Sequence, residues 1–179
     1  MRLYIAIDLS EQAKENIEKI KLELKGIQGV KPVSKENIHL TLKFLGEVSD
    51  NKAEDIARAL SQVKFKPFNI SINKMGVFPN EQRIQVLWVD AEPAEPLFEL
   101  KKQIDASLPR LKDDHPFKSH ITFARIKYIA NDSDKKKILD ILRKSVEKTS
   151  FLVNKFRLYK SDLQPTGPVY EVVKEFAFE

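Results

Sequence analysis

Two stretches of the chain place a histidine and a threonine two positions apart inside an apolar run. They are Asn37-Ile38-His39-Leu40-Thr41-Leu42-Lys43-Phe44-Leu45 and, 81 positions later (120 − 39), Ser119-His120-Ile121-Thr122-Phe123-Ala124-Arg125-Ile126. In a β-strand, residues two apart share a face, so each stretch shows an imidazole and a hydroxyl together and buries its leucines, isoleucine or phenylalanine behind them. Imidazoles titrate near neutrality and serve as proton donor or acceptor. Two facing each other across a groove could take a proton from an attacking hydroxyl and give one to a leaving oxygen. The neighbouring Thr41 and Thr122 would donate hydrogen bonds to oxygens on which charge develops. A phosphodiester held between the two strands fits that chemistry.

A single histidine in an apolar strand is ordinarily a hydrogen-bonded core residue, and threonine is common in strands. Here the chain has three histidines, and two of them occupy matching places. His115, beside Pro116 in a loop, reads as surface or rim. A zinc or dinuclear centre would need further ligands, and neither strand carries a carboxylate on its histidine face, so no metal is expected. The five glycines are scattered and build no phosphate loop, so no nucleotide cofactor is expected. There is no cysteine, which excludes disulfide frameworks and thiolate catalysis.

The elements that would position these strands follow from periodicity. Residues 2–9 alternate as a strand. Ser10 caps a helix from Glu11 to about Lys25, with Ala13, Ile17, Ile20 and Leu24 inward. The first histidine strand runs from about Ile38 to Leu45. Asp50 is the expected cap of a helix to about Val63, and Phe68 to Met75 alternates again. Gly76 to Asn80 reads as a loop, and Arg83 to Asp90 as a strand. Pro96 lies in the first turn of a helix whose inner stripe is Leu97, Leu100, Ile104 and Leu108. After the second histidine strand come a turn at Asn131 and a helix from about Asp134 to Lys148. Strands near 151–159 and 170–178, joined by residues 161–168, finish the chain.

Laid side by side, the halves match. Asp8 precedes His39 by 31 positions and Asp90 precedes His120 by 30; Asp50 and Asn131 each follow their histidine by 11. The chain reads as two copies of strand–helix–strand–helix–strand. The pattern predicts an α+β fold: a single bilobal domain over 1–179, with repeat halves of about 1–75 and 83–160. A C-terminal strand at 169–178 completes it, and the two His-x-Thr faces lie opposite each other across a central cleft.

With Lys and Arg numbering 31 against 26 acids, a net charge of +5 and a pI near 9.2, the surface suits an anionic partner such as RNA without requiring one. No apolar run approaches a membrane span or a signal peptide, so a soluble, cytoplasmic protein is expected, and as a monomer.

At this point the sequence resembles the 2H phosphoesterase superfamily, and within it the LigT-like RNA 2′,3′-cyclic phosphodiesterases, often labelled 2′-5′ RNA ligases. The resemblance rests on Arg2-Leu3-Tyr4-Ile5-Ala6-Ile7, on Leu40 to Gly46 around the first motif, and on Gly76-Val77-Phe78-Pro79 and Val86-Leu87-Trp88-Val89. It continues through His120 to Arg125 and from Tyr159-Lys160-Ser161 to Gly167-Pro168-Val169-Tyr170. One position departs: the family usually has proline before the second histidine, and here it is Ser119. The resemblance implies a bilobal α+β fold with mainly antiparallel sheets flanking a basic central cleft, and metal-free hydrolysis of a terminal RNA 2′,3′-cyclic phosphate, such as those on tRNA halves, to a 2′-phosphate, with no cofactor. It implies His39 as proton donor, His120 as proton acceptor and Thr41 and Thr122 on the phosphate; the residues alone leave the direction of the two histidines open.

Candidate substrate contacts are Lys43 and Arg125 beside the motifs, Arg83 at a strand start, and Phe44, Phe78 and Tyr170 as stacking surfaces. Arg125 has the wrong parity to share a face with His120 unless a bulge intervenes. The same site, with a 5′-hydroxyl in place of water, would make a 2′-5′ linkage from the cyclic phosphate without ATP. Two alternatives stay open: a related enzyme acting on a small cyclic nucleotide, and an RNA- or nucleotide-binding module without turnover.

Overall fold

The computed structural model describes residues 1–113, 115–165 and 167–179. Ten strands and four helices alternate along it: β1 Arg2–Asp8, α1 Glu11–Glu23, β2 Val30–Pro32, β3 His39–Glu47, α2 Asp50–Leu60, β4 Phe68–Ile72 and β5 Met75–Pro79. There follow β6 Ile84–Asp90, α3 Glu95–Ser107, β7 His120–Ile126, α4 Asp132–Leu142, β8 Thr149–Val153, β9 Lys155–Gln164 and β10 Gly167–Ala177. Every strand pairing is antiparallel. The expected α+β class with antiparallel sheets is what the chain adopts.

Local chemistry sets the helix starts. The Ser10 hydroxyl accepts the Ala13 N–H, and Asn131 Oδ1 accepts the Asp134 N–H. Ser49, not Asp50, caps α2, accepting the Lys52 N–H, while Asp50 opens the helix where an acid suits the positive end of its dipole. Pro96 stands in the first turn of α3 as expected. The fourth helix is shorter than its periodicity suggests, ending at Leu142, although Val146 beyond it is still buried.

Three sheets result, with orders β10-β9-β1-β3, β2-β7-β6-β5 and β4-β8. The central pairs β1–β3 and β6–β7 are the matching cores of the two sequence halves, but neither sheet is completed from its own half. The segment around Gly76, expected to be a loop, is strand β5 and pairs with β6 of the second half. Strands β9 and β10, from the end of the chain, pair back onto β1. The strands following α2 and α4 pair with each other, Ile70 opposite Phe151. The expected 161–168 connection is largely strand, since β9 continues to Gln164 and β10 restarts at Gly167; Thr166 lies outside the described residues.

Buried side chains from both halves join one continuous apolar core, with Phe123, Phe156, Ile5 and Leu40 among its largest enclosed members. A buried polar tie, Asn16 Nδ2 donating to Thr149 Oγ1 at 2.7 Å, links α1 to β8. Among the described residues, no helix is long and apolar enough to cross a membrane.

Candidate active site

Each histidine begins its strand, and each faces the acid that ends the neighbouring strand: Asp8 opposite His39 and Asp90 opposite His120. Further along, the two strands repeat the same irregularity. Thr41 pairs with Ala6 and Lys43 with Ile5, so Leu42 is extra; Thr122 pairs with Trp88 and Ala124 with Leu87, so Phe123 is extra. A one-residue bulge reverses the side-chain alternation beyond it. In both strands the residue five past the histidine therefore returns to the histidine face. That residue is Phe44 in β3 and Arg125 in β7, both exposed.

The bulge gives Arg125 the parity it needed. It also removes Lys43, contrary to the phosphate contact expected of it. Lys43 turns to the core side, its side chain 1% exposed, with Nζ donating to Asp105 at 2.7 Å and to Asp113 at 3.0 Å. Lys101 is hydrogen-bonded to the same two carboxylates. The four groups tie β3 to α3 and to the loop leading towards His120. Among the described residues Arg83 is likewise not brought to the histidines by any contact: it lies in the turn between β5 and β6, its N–H donating to Asn80 Oδ1 at 3.0 Å and its guanidinium beside the Gln85 side-chain amide.

The His120 ring is oriented by its own backbone. Nδ1 lies 2.7 Å from the Lys118 carbonyl, which only accepts, so Nδ1 carries the hydrogen and Nε2 keeps its lone pair. For His39 the backbone of Asn37, again two residues back, acts as a hydrogen-bond partner that favours the protonated ring. Ser119, standing where proline is usual, donates its hydroxyl to the Ala91 carbonyl at 2.6 Å, which pins the approach to His120. Thr41 and Thr122 are half-buried on the same faces as their histidines.

The surroundings differ in charge. Burial draws His39 down to about 4, opposed by its Asn37 hydrogen bond and by Asp8, while Lys14 adds to the depression. Burial also lowers His120; the Lys118 carbonyl opposes this, and the charges of Lys118 and Arg125 reinforce it. Among the described residues no acid offsets these two cations, since Asp90 accepts the Asn73 and Lys74 N–H groups instead, whereas His39 has Asp8 beside it. Arg125 acts electrostatically on Tyr170 as well as on His120, and Tyr170 sits edge-on to His39 at 5.4 Å. Arg125 and Tyr170 thus connect the two histidine faces.

Several neighbours were not singled out from the sequence. Asp8 accepts the Tyr159 hydroxyl at 2.5 Å and pairs with Arg157, which also holds Glu175. Burial and the Asp8 contact push Tyr159 up to about 12, against the opposing pull of Arg157. Phe78, which was expected as a stacking surface, stands edge-on to His120 at 4.9 Å; Trp88, not singled out, packs against Phe78 at 5.2 Å, and Lys118 lies above the Phe78 ring at 5.0 Å. Trp88 lies flat on Gly76, where any Cβ would fall inside the indole. The period-two face Tyr4-Ala6-Asp8 was a readable signal for the first group. Among the described residues, no three His, Cys, Asp or Glu side chains group to hold a metal ion.

A family model described as LigT like phosphoesterase matches the chain twice, over residues 7–88 and 89–170. An RNA 2′,3′-cyclic phosphodiesterase of Methanocaldococcus jannaschii is 40% identical over 180 residues, covering 98% of this chain and 100% of that protein. The structure of TT0787 from Thermus thermophilus superposes with a TM-score of 0.82 at 30% identity, over 99% of this chain and 98% of that one. The structure of E. coli LigT complexed with 3′-AMP gives a TM-score of 0.79 at 25% identity, over 99% and 97%.

Proposed function

Since the chain belongs to the LigT-like phosphoesterase family, we propose that it opens the 2′,3′-cyclic phosphate at an RNA 3′ end to a 2′-phosphomonoester, with His39 as acid and His120 as base. Water attacks phosphorus on the side opposite O3′. His120 Nε2 takes the proton from the water as the new P–O bond forms, and His39 gives a proton to O3′ as the P–O3′ bond breaks. The hydroxyls of Thr41 and Thr122 donate to the non-bridging oxygens, and Arg125 adds a positive charge where negative charge grows. Acid and base together complete the proton transfers, so no metal step is required. With a 5′-hydroxyl in place of water as the attacking group, the same ring opening would give a 2′-5′ linkage, His120 taking the hydroxyl proton and His39 protonating O3′.

The observation that carries this proposal is the repetition of one bulged His-x-Thr strand in two sheets with unlike electrostatic surroundings. Two cations beside His120 favour a neutral imidazole, suited to accepting a proton. Asp8 beside His39 favours the protonated form against burial and Lys14, which hold the group low in the free protein, and the arrival of an anionic phosphate would raise it.

The test is to incubate an RNA ending in 2′,3′-cyclic phosphate with the protein in chelator and to resolve 2′- from 3′-phosphate products. Formation of the 2′-phosphate, lost by orders of magnitude in His39→Ala and His120→Ala, is the expected result. Unimpaired RNA binding without turnover would leave a binding module instead.

A further inference from the structure

The two histidines are not held alike, and the difference traces to an exchange of side chains between β1 and β6. By register, Ala6 opposite Thr41 corresponds to Trp88 opposite Thr122, and Tyr4 opposite Phe44 corresponds to Val86 opposite Arg125. In the second sheet the aromatic residue therefore sits directly across from the threonine, seated on Gly76. In the first sheet that place holds only the Ala6 methyl, and the aromatic residue has moved two positions back, to Tyr4. Tyr4 uses the space: it groups with Ala6 and Tyr159 and reaches along the strand to His39.

The contact is face to face. The Tyr4 and His39 centroids are 4.9 Å apart with the planes 26° from parallel. Tyr159 is near-parallel to both, 5.2 Å from Tyr4 and 6.3 Å from His39, and its hydroxyl is fixed on Asp8. Tyr170 closes the group edge-on to Tyr4 at 5.1 Å. Among the described residues His120 has no such stack; Phe78 meets it at 84°. Tyr4 is 3% exposed, and among the described residues its hydroxyl has no partner. A buried, unpaired hydroxyl costs stability, so the ring and not the hydroxyl is the useful part of this side chain.

We propose that Tyr4 is a positioning residue for His39: its ring face fixes the imidazole plane and favours the imidazolium, biasing this histidine towards the acid role. An aromatic face attracts a cation placed over it, most strongly where water is excluded. This rests on the acid role proposed above. The other groups facing His39 are Asp8 from β1, Lys14 from α1, the Asn37 carbonyl ahead of β3, Tyr159 from β9 and Tyr170 from β10. Asp8 and the carbonyl favour the cation and Lys14 opposes it, while the tyrosines are uncharged at neutral pH.

The experiment follows the His39 ring protons by NMR through a pH titration in the wild type, Tyr4→Phe, Tyr4→Leu and Ala6→Val. The same proteins, with His39→Ala as reference, are assayed for kcat and KM on RNA ending in cyclic phosphate. Tyr4→Phe should titrate as the wild type does and keep its rate. Tyr4→Leu retains bulk but removes the aromatic face, so the His39 midpoint should fall and kcat at neutral pH should drop on the order of tenfold with KM little changed. Ala6→Val, which leaves Tyr4 in place but crowds it off the imidazole, should reproduce that behaviour and serves if Tyr4→Leu does not fold. An unchanged midpoint and kcat in Tyr4→Leu while His39→Ala is inactive would overturn the proposal. So would a loss in Tyr4→Phe equal to that in Tyr4→Leu, which would transfer the role to the hydroxyl. An active His39→Ala would instead overturn the acid role itself, and the titration shift alone would then decide the stack.

Discussion

Burial sets the charge state of both histidines in the free protein. His39 lies well below the ordinary histidine value and His120 is shifted in the same direction, so both are neutral at pH 7 without ligand. If one must be protonated and the other neutral, kcat/KM should follow a bell whose maximum falls below about pH 6.5, the free-enzyme arm reporting these depressed values. A plateau extending above about pH 7 would contradict this. The same shift has a sign for stability. The unfolded chain binds a proton at His39 near 6.5 and the folded chain does so only near 4, so stability is held above 6.5 and lost as pH falls towards 4. Denaturant melts at pH 7 and pH 5 should show a smaller loss for His39→Phe than for the wild type.

At the scale of the element, the repeated bulge does most to build the site. It turns Arg125 and Phe44 onto the histidine faces and sends Lys43 inward to Asp105 and Asp113. Lys43→Met would leave those carboxylates to Lys101 alone. Because both are partly exposed, the expected loss is about 1–3 kcal/mol, below the figure for a fully buried pair, measured by urea unfolding. Gly76→Ala would lift Trp88 from its seat, with a cost of about 1–3 kcal/mol from overpacking. The His-x-Thr pairs and their spacing were legible because period two is a property of the strand itself. The bulge was not: Leu42-Lys43 and Phe123-Ala124 carry no glycine or other local mark. Strand β5 was hidden for a different reason. Gly76 and Pro79 look like turn residues, and the glycine is there to admit an indole from the neighbouring strand.

At the scale of the whole molecule, the two halves are similar in sequence but interdependent in space. The repeat was readable from the offsets between Asp8, His39, Asp90 and His120. Which half supplies the last strands of each sheet was not, because an exchanged and an unexchanged arrangement have the same sequence period. Here β5 completes the second sheet and β9–β10 the first, while β4 and β8 pair with each other. Each half alone would lack strands of its own sheet and leave an open edge. Fragments 1–81 and 82–179 should therefore show little cooperative structure separately and recover it on mixing, as followed by circular dichroism and amide NMR. A separately folded fragment would contradict the exchange.

The assignment of one histidine as acid to O3′ and the other as base to water is the central claim, and a change of leaving group tests it most directly. A cyclic substrate with sulfur in place of the bridging 3′ oxygen departs as a stable thiolate and does not need a donated proton. Released thiol is followed with a chromogenic reagent for the wild type, His39→Ala and His120→Ala. A His39 acid predicts that the sulfur substrate restores much of the lost rate in His39→Ala and none in His120→Ala. Rescue of His120→Ala instead, or equal rescue of both, would contradict it.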